Sequence, residues 1–160
     1  PVAGEFGVRL QLHPNDPPMN HQGVARIFRS TDAFAQAFDL AGGSEHSSVL
    51  FCVGTWSEMA GSDGAGEDIE AAIRRLAPHI TQVHFRNTSG PMPDFHETFP
   101  DNGYVDLVRI MKTLVEVGFD GMVVPDHVPG EYDGTSPGRI EEAYTFGYIR
   151  ALMQATGSGR

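Results

Sequence analysis

A 160-residue chain with 40% hydrophobic and 20% charged residues can bury one core, so a single soluble globular domain is expected. Eleven Lys and Arg stand against twenty-one Asp and Glu, a formal charge of −10, with no basic cluster interleaved with aromatics, which argues against nucleic acid as a partner. No run approaches the ~20 apolar residues of a membrane span, and the amino terminus lacks the basic and apolar regions of a signal peptide, so a cytoplasmic protein with no membrane partner is expected.

The chain opens on Pro1 rather than Met and runs almost at once into an apolar strand, consistent with a fragment that begins inside a longer gene product. From there a short apolar strand, a polar loop and an amphipathic helix follow one another four times. The first strand is predicted over 8–12, ending at His13-Pro14, and its helix over 31–40, capped by Ser30 or Thr31 and stopped by Ala41-Gly42-Gly43. The second strand spans 48–53. After a glycine-rich loop, residues 67–76 place Ile69, Ala72, Ile73 and Leu76 at helical spacing, with acidic residues leading and Arg74 and Arg75 trailing, as the helix dipole prefers.

The third strand is predicted over 80–85, followed by a long loop over 87–102 that carries three prolines and the His96-Glu97 pair. A loop of that length in a compact unit is often functional. Residues 105–117 form the next helix, with Leu107, Ile110, Met111, Leu114 and Val115 on one face and Gly118 as its stop. The fourth strand spans 121–125, and a last helix over 139–155 is expected to bury Ile140, Ala143, Tyr144, Tyr148 and Leu152 before a fraying Gly-Ser-Gly-Arg tail.

Strands separated by helices imply an α/β fold with a parallel sheet and right-handed crossovers. One candidate is a complete doubly wound domain, which would usually show a glycine-rich phosphate turn; neither that pattern nor a Walker A motif is present. The other is a parallel (β/α) repeat of four units forming half of a TIM (β/α)₈ barrel, whose full size is about 250 residues.

A metal-capable residue stands at the carboxyl end of each strand: His13, Cys52, His84 and Asp126. In parallel α/β folds those ends face one crevice, so residues distant in sequence converge there. Singly, each is more often structural, and Cys52, the one cysteine, also reads as a small buried hydrophobe. Together they form a mixed set suited to zinc, iron(II) or manganese with positions left for substrate oxygens, and the chain has no C-x-x-C of a structural zinc site. Around them, His127 is a candidate acid–base group, and Arg86 and Asn87 are candidates for a substrate carboxylate. His96 and Glu97 are possible lid contacts.

Several segments carry a resemblance. Residues 7–18, ending Leu12-His13-Pro14-Asn15-Asp16-Pro17-Pro18, are followed by Gly23-Val24-Ala25-Arg26-Ile27, then Leu50-Phe51-Cys52-Val53-Gly54-Thr55, then Val83-His84-Phe85-Arg86-Asn87 with Phe95-His96-Glu97, and finally Gly118-Phe119-Asp120-Gly121 leading to Pro125-Asp126-His127. In this order they resemble the mannonate dehydratase family. The resemblance implies the C-terminal half, strands five to eight, of a xylose-isomerase-like TIM barrel that uses Mn²⁺ or Fe²⁺ and dehydrates D-mannonate to 2-keto-3-deoxy-D-gluconate. It implies His13, Cys52, His84 and Asp126 as metal ligands and His127 as the proton-transfer residue. The chain departs from the family pattern at Pro100, where a histidine is expected, at Val128-Pro129, where Gly-Arg or similar follows Asp-His, and at Arg139 behind Pro137-Gly138, where a tyrosine is expected.

The expected function is therefore a metal-dependent hydro-lyase with a small-molecule sugar acid as substrate. The alternatives are a metal-dependent sugar isomerase or epimerase on the same barrel, and a non-catalytic metal-binding half-barrel. Four βα units alone would leave two open sheet edges, so a homo-oligomer or association with the missing barrel half is expected.

Overall fold

The computed structural model describes residues 1–59, 66–130 and 138–157. After a short helix α1 (Val2–Glu5), the chain lays down strand β1 (Leu10–Leu12), helix α2 (Thr31–Leu40), strand β2 (Ser47–Cys52), helix α3 (Val53–Glu58) and helix α4 (Ile69–Leu76). A single 3₁₀ turn, Ala77–His79, leads into β3 (Ile80–His84), followed by the short strands β4 (Asn87–Thr88) and β5 (Glu97–Thr98). Helix α5 (Leu107–Glu116), strand β6 (Met122–Val124) and helix α6 (Arg139–Thr156) complete the described chain.

β1, β2, β3 and β6 form one parallel sheet in that order, as four successive βα units require. This is half of a TIM (β/α)₈ barrel. Register aligns the strand ends: Cys52 lies opposite His84, and His84 opposite Val124, two residues before Asp126. β2 is buried on both faces, as a central parallel strand should be, whereas Leu10 and Met122 on the outer strands are 60% and 62% exposed.

The helices start where side chains satisfy their free N–H groups. Ser30 Oγ accepts from Ala33 N, Asp68 Oδ1 from Ala71 N, and Asp106 Oδ1 from both Val108 N and Arg109 N. Gly118, at φ 74°, closes α5: its N–H donates to Val115 O and that of Phe119 to Leu114 O. α4 buries Ile69, Ala72, Ile73 and Leu76, the face its spacing predicts. Trp56 ties the layers together by stacking on Phe51 at 4.0 Å, packing on Phe34 at 4.9 Å and donating its Nε1–H to Thr31 Oγ1.

Four sequence expectations change. Val53 is helical rather than the end of β2, because α3 starts directly at the strand end with Cys52 as its cap: Thr55 N donates to Cys52 Sγ. All six α3 residues are buried, so no polar face betrays the helix in the sequence. The loop over 87–102 is partly ordered as the β4–β5 hairpin, pairing Asn87 with Thr98 and Thr88 with Glu97. On α6 the buried face is Thr145, Ile149 and Leu152, while Ile140, Ala143 and Tyr144 are exposed and Tyr148 is half-buried. Among the described residues α6 packs mainly against α5 and β6, and its apolar residues turned away from them stay exposed. Val115, expected on the buried face of α5, is 36% exposed. The glycine-rich loop over 60–65, Pro137 and the last three residues lie outside the described residues.

Candidate metal centre

The four strand-end residues do converge. One ligand atom from each of His13, Cys52, His84 and Asp126 lies within 4.8 Å of the others. His13 is oriented from behind: its Nδ1 is 2.7 Å from Pro14 O, and since a carbonyl only accepts, the proton sits on Nδ1 and Nε2 is left for a ligand role. Cys52 Sγ, fully buried, takes Thr55 N at 3.3 Å and Thr55 Oγ1 at 3.0 Å. His84 Nδ1 is buried with no well-directed hydrogen bond; it lies 3.3 Å from Asp126 Oδ2 as an ion-pair contact only. An orphaned buried imidazole nitrogen, a thiolate and a carboxylate within one small volume are a donor set that fits a divalent cation.

The electrostatic surroundings agree. Burial alone would raise the Cys52 thiol, but hydrogen bonds from His13 and His84 and the Arg86 charge bring it down to about 6. Burial would lower His84, yet contact with Asp126 and Cys52 lifts it to about 9. Burial would raise Asp126, but His84, His127 and Arg86 together hold it well below the usual carboxylate range. Without metal, a proton on His84 thus supplies the positive charge that the thiolate and carboxylate demand.

A cation entering the site must displace that proton. From about pH 6 to about pH 9 Cys52 is already ionised while His84 remains protonated, so at least one proton should leave per ion bound. The apparent Mn²⁺ affinity is expected to rise by about tenfold per pH unit across that window. Calorimetric titration in buffers of different ionisation enthalpy checks this; an affinity flat with pH would contradict it.

Behind the four candidate ligands stands Arg86, 2% exposed, whose Nε donates to Asp126 Oδ2 at 3.0 Å. Its Nη1 donates to Glu58 Oε1 at 2.6 Å and Glu97 Oε1 at 2.8 Å, and its Nη2 to Asp16 Oδ2 at 2.6 Å and Thr55 Oγ1 at 3.2 Å. All five guanidinium N–H groups are thereby engaged, so Arg86 has no donor left for a substrate carboxylate. Asn87 is also committed: its Nδ2 donates to Pro100 O and Val105 O and its Oδ1 accepts from Thr88 N and Val105 N. Buried to 1% exposure, it fastens the segment after β5, and Gly103 leaves room for it where any Cβ would overlap the amide.

An open cleft of about 470 Å³ adjoins the centre, lined by Asp16, Phe95, His96, Glu97, His127, Val128, Pro129 and Gly130. His127 Nδ1 lies 3.1 Å from Glu97 Oε1, and this contact, against the opposing effect of burial, raises the imidazole. His96 is exposed at the rim. Asp16, Thr55 and Glu58 were not singled out from sequence. Asp16 sits within the His-Pro-Asn-Asp stretch, and Glu58 was readable as a lone acid between Trp56 and Met59.

The model of the D-mannonate dehydratase (UxuA) family matches residues 1–159. A mannonate dehydratase of Enterococcus faecalis is 30% identical over 98% of this chain and 44% of its own length, and one of Streptococcus pneumoniae is 32% identical with the same coverage. The crystal structure of mannonate dehydratase from Streptococcus suis serotype 2 superposes with a TM-score of 0.76 at 28% identity, over 98% of this chain and 47% of that one. A xylose isomerase domain protein from Planctomyces limnophilus, at 13% identity and a TM-score of 0.68, shares the fold. The chain thus spans somewhat under half the length of the curated relatives it matches. No helix among the described residues is long and apolar enough to cross a membrane. This chain belongs to the D-mannonate dehydratase family.

Proposed function

We propose that the chain is the metal-binding half, strands five to eight, of a hydro-lyase that removes water from D-mannonate to give 2-keto-3-deoxy-D-gluconate. The observation that carries this reading is the meeting of His13, Cys52, His84 and Asp126 beside a cleft walled by His127 and Glu97. Mn²⁺ or Fe²⁺ suits two imidazoles, a thiolate and a carboxylate, and would stabilise the negative charge that builds on the sugar acid as its C2 proton leaves.

The chain's own residues supply the proton chemistry. Glu97 Oε1 accepts from His127 Nδ1 and so orients the ring, and Nε2, 3.8 Å from Asp126 Oδ1, is the atom assigned to proton transfer. The same carboxylate favours the imidazolium, so a proton captured at C2 can be kept long enough to help the C3 hydroxyl leave. Phe95, Val128 and Pro129 form the apolar flank that limits water. Because Arg86 is spent on protein carboxylates, the substrate's acid group must be met by the cation and by groups at the rim such as His96. The remaining barrel, supplied by further chain or by a second subunit, would close the other side.

The test uses the full-length native protein, wild type and His127→Asn, with Mn²⁺ and D-mannonate. Both should bind Mn²⁺, while turnover falls by about 10²–10⁴-fold in the variant. Conversion of D-mannonate to a product of unchanged formula would replace the lyase with an isomerase, and near wild-type turnover in His127→Asn would remove that residue from proton transfer.

A further inference from the structure

Glu58 takes no part in the chemistry above, yet it is an acid with no exposed surface at the end of a wholly buried helix. Burying a carboxyl group with an unmatched oxygen costs free energy that an apolar side chain of similar volume would avoid. Its Oε1 accepts from Arg86 Nη1 at 2.6 Å, and its Oε2 is buried with no partner. The other three carboxylates on Arg86, from Asp16, Glu97 and Asp126, keep 26%, 16% and 17% of their side chains exposed, and Asp16 and Glu97 line the cleft. Among the described residues Glu58 is the one fully buried carboxylate on the guanidinium, and it acts beside the buried Thr55 hydroxyl of the same helix.

α3 shapes this grip twice. Gly54, one turn before Glu58, lies where a Cβ would overlap the Arg86 side chain, so the helix makes room for the arginine and then holds its head. Through Arg86 the grip reaches both working parts of the site. Nη1 is shared between Glu58 and Glu97, whose Oε1 also orients His127, and Nε holds the metal-ligand candidate Asp126. The geometry points to Glu58 as a positioning residue: it holds Arg86 back against the pull of three forward carboxylates, and so fixes Asp126 for the metal and Glu97 for His127. The catalytic part of this inference rests on the proposed dehydration; the metal part does not.

The experiment compares full-length wild type with Glu58→Gln, Glu58→Leu and Glu58→Asp, reading Mn²⁺ affinity by calorimetry or electron paramagnetic resonance and then kcat and KM on D-mannonate. Gln keeps an acceptor at Oε1 and is expected within about threefold of wild type, while Leu should lose about 10–100-fold in Mn²⁺ affinity, as loss of a group supporting a ligand does. In Leu, kcat should fall more than KM changes. A folded Glu58→Leu protein with wild-type Mn²⁺ affinity overturns the inference. Should Leu fail to fold, Glu58→Asp decides by the same measure, since its carboxylate is one methylene short of Arg86 Nη1; wild-type affinity there overturns the inference equally. If no protein, wild type included, dehydrates D-mannonate but the Mn²⁺ affinities separate as stated, the substrate assignment fails and the role of Glu58 stands.

Discussion

Asp126→Asn should abolish stoichiometric metal binding. Asp126 Oδ2 lies 3.3 Å from His84 Nδ1, 3.5 Å from Cys52 Sγ and 3.0 Å from Arg86 Nε, at the centre of the charged cluster. The amide removes one full negative charge and offers two N–H donors toward a cation. Two unit charges 4 Å apart at an effective dielectric of 20 interact by about 4 kcal/mol, and a divalent ion at bonding distance feels more. The expected loss is therefore at least about 10³-fold in affinity, since each 1.4 kcal/mol or so is tenfold. Dialysis against Mn²⁺ followed by elemental analysis reads the outcome. One ion retained per chain at wild-type affinity would show that the four residues are grouped for another reason.

The four ligand candidates were legible because each stands at a strand end, and the parallel βα pattern obliges strand ends to converge. α4 was readable because its apolar residues fall on one face with solvent on the other. α3 was not, since a helix buried all round shows no periodicity, and with it went Glu58 and Thr55. The same blindness affected Arg86 and Asn87. The sequence places a guanidinium and an amide next to a metal-ligand candidate, where binding a substrate anion is chemically natural. Only the three-dimensional arrangement shows that four protein carboxylates and Thr55 already occupy every Arg86 donor, and that backbone groups occupy the Asn87 amide. The buried face of α6 was misassigned for a different reason: period cannot tell which of its apolar residues meet a neighbour.

Arg86→Leu should be the most destabilising single change at the site, and its cost should grow with pH. The substitution leaves Asp16, Glu58, Glu97 and Asp126 without their shared cation, and Glu58 has no exposure through which water could compensate. Breaking a buried pair by removing one partner costs about 3–5 kcal/mol. Burial already pushes Glu58 up to about 8 despite the Arg86 charge, and the neighbouring Asp16 and Cys52 charges add to the rise. Without Arg86 it rises further, so the folded state holds a proton that the unfolded chain, near the ordinary 4.5, has released. A raised carboxyl makes folding progressively less favourable as pH climbs from the unfolded value toward the folded one, and the variant extends that window above 8. Cys52 adds to this in the same direction. Its lowered thiol contributes stability that is full above the unfolded value of 9 and lost as pH falls through 6, and part of that lowering comes from Arg86. Denaturant unfolding of the metal-free full-length protein should therefore show a gap between wild type and Arg86→Leu that is larger at about pH 9 than at about pH 6. Arg86→Lys should recover only a fraction of the gap, since an ammonium has three donors and no planar fork to meet four carboxylates and Thr55. A gap independent of pH, or full recovery by lysine, would mean that Arg86 acts by packing rather than as the common counter-charge of the cluster.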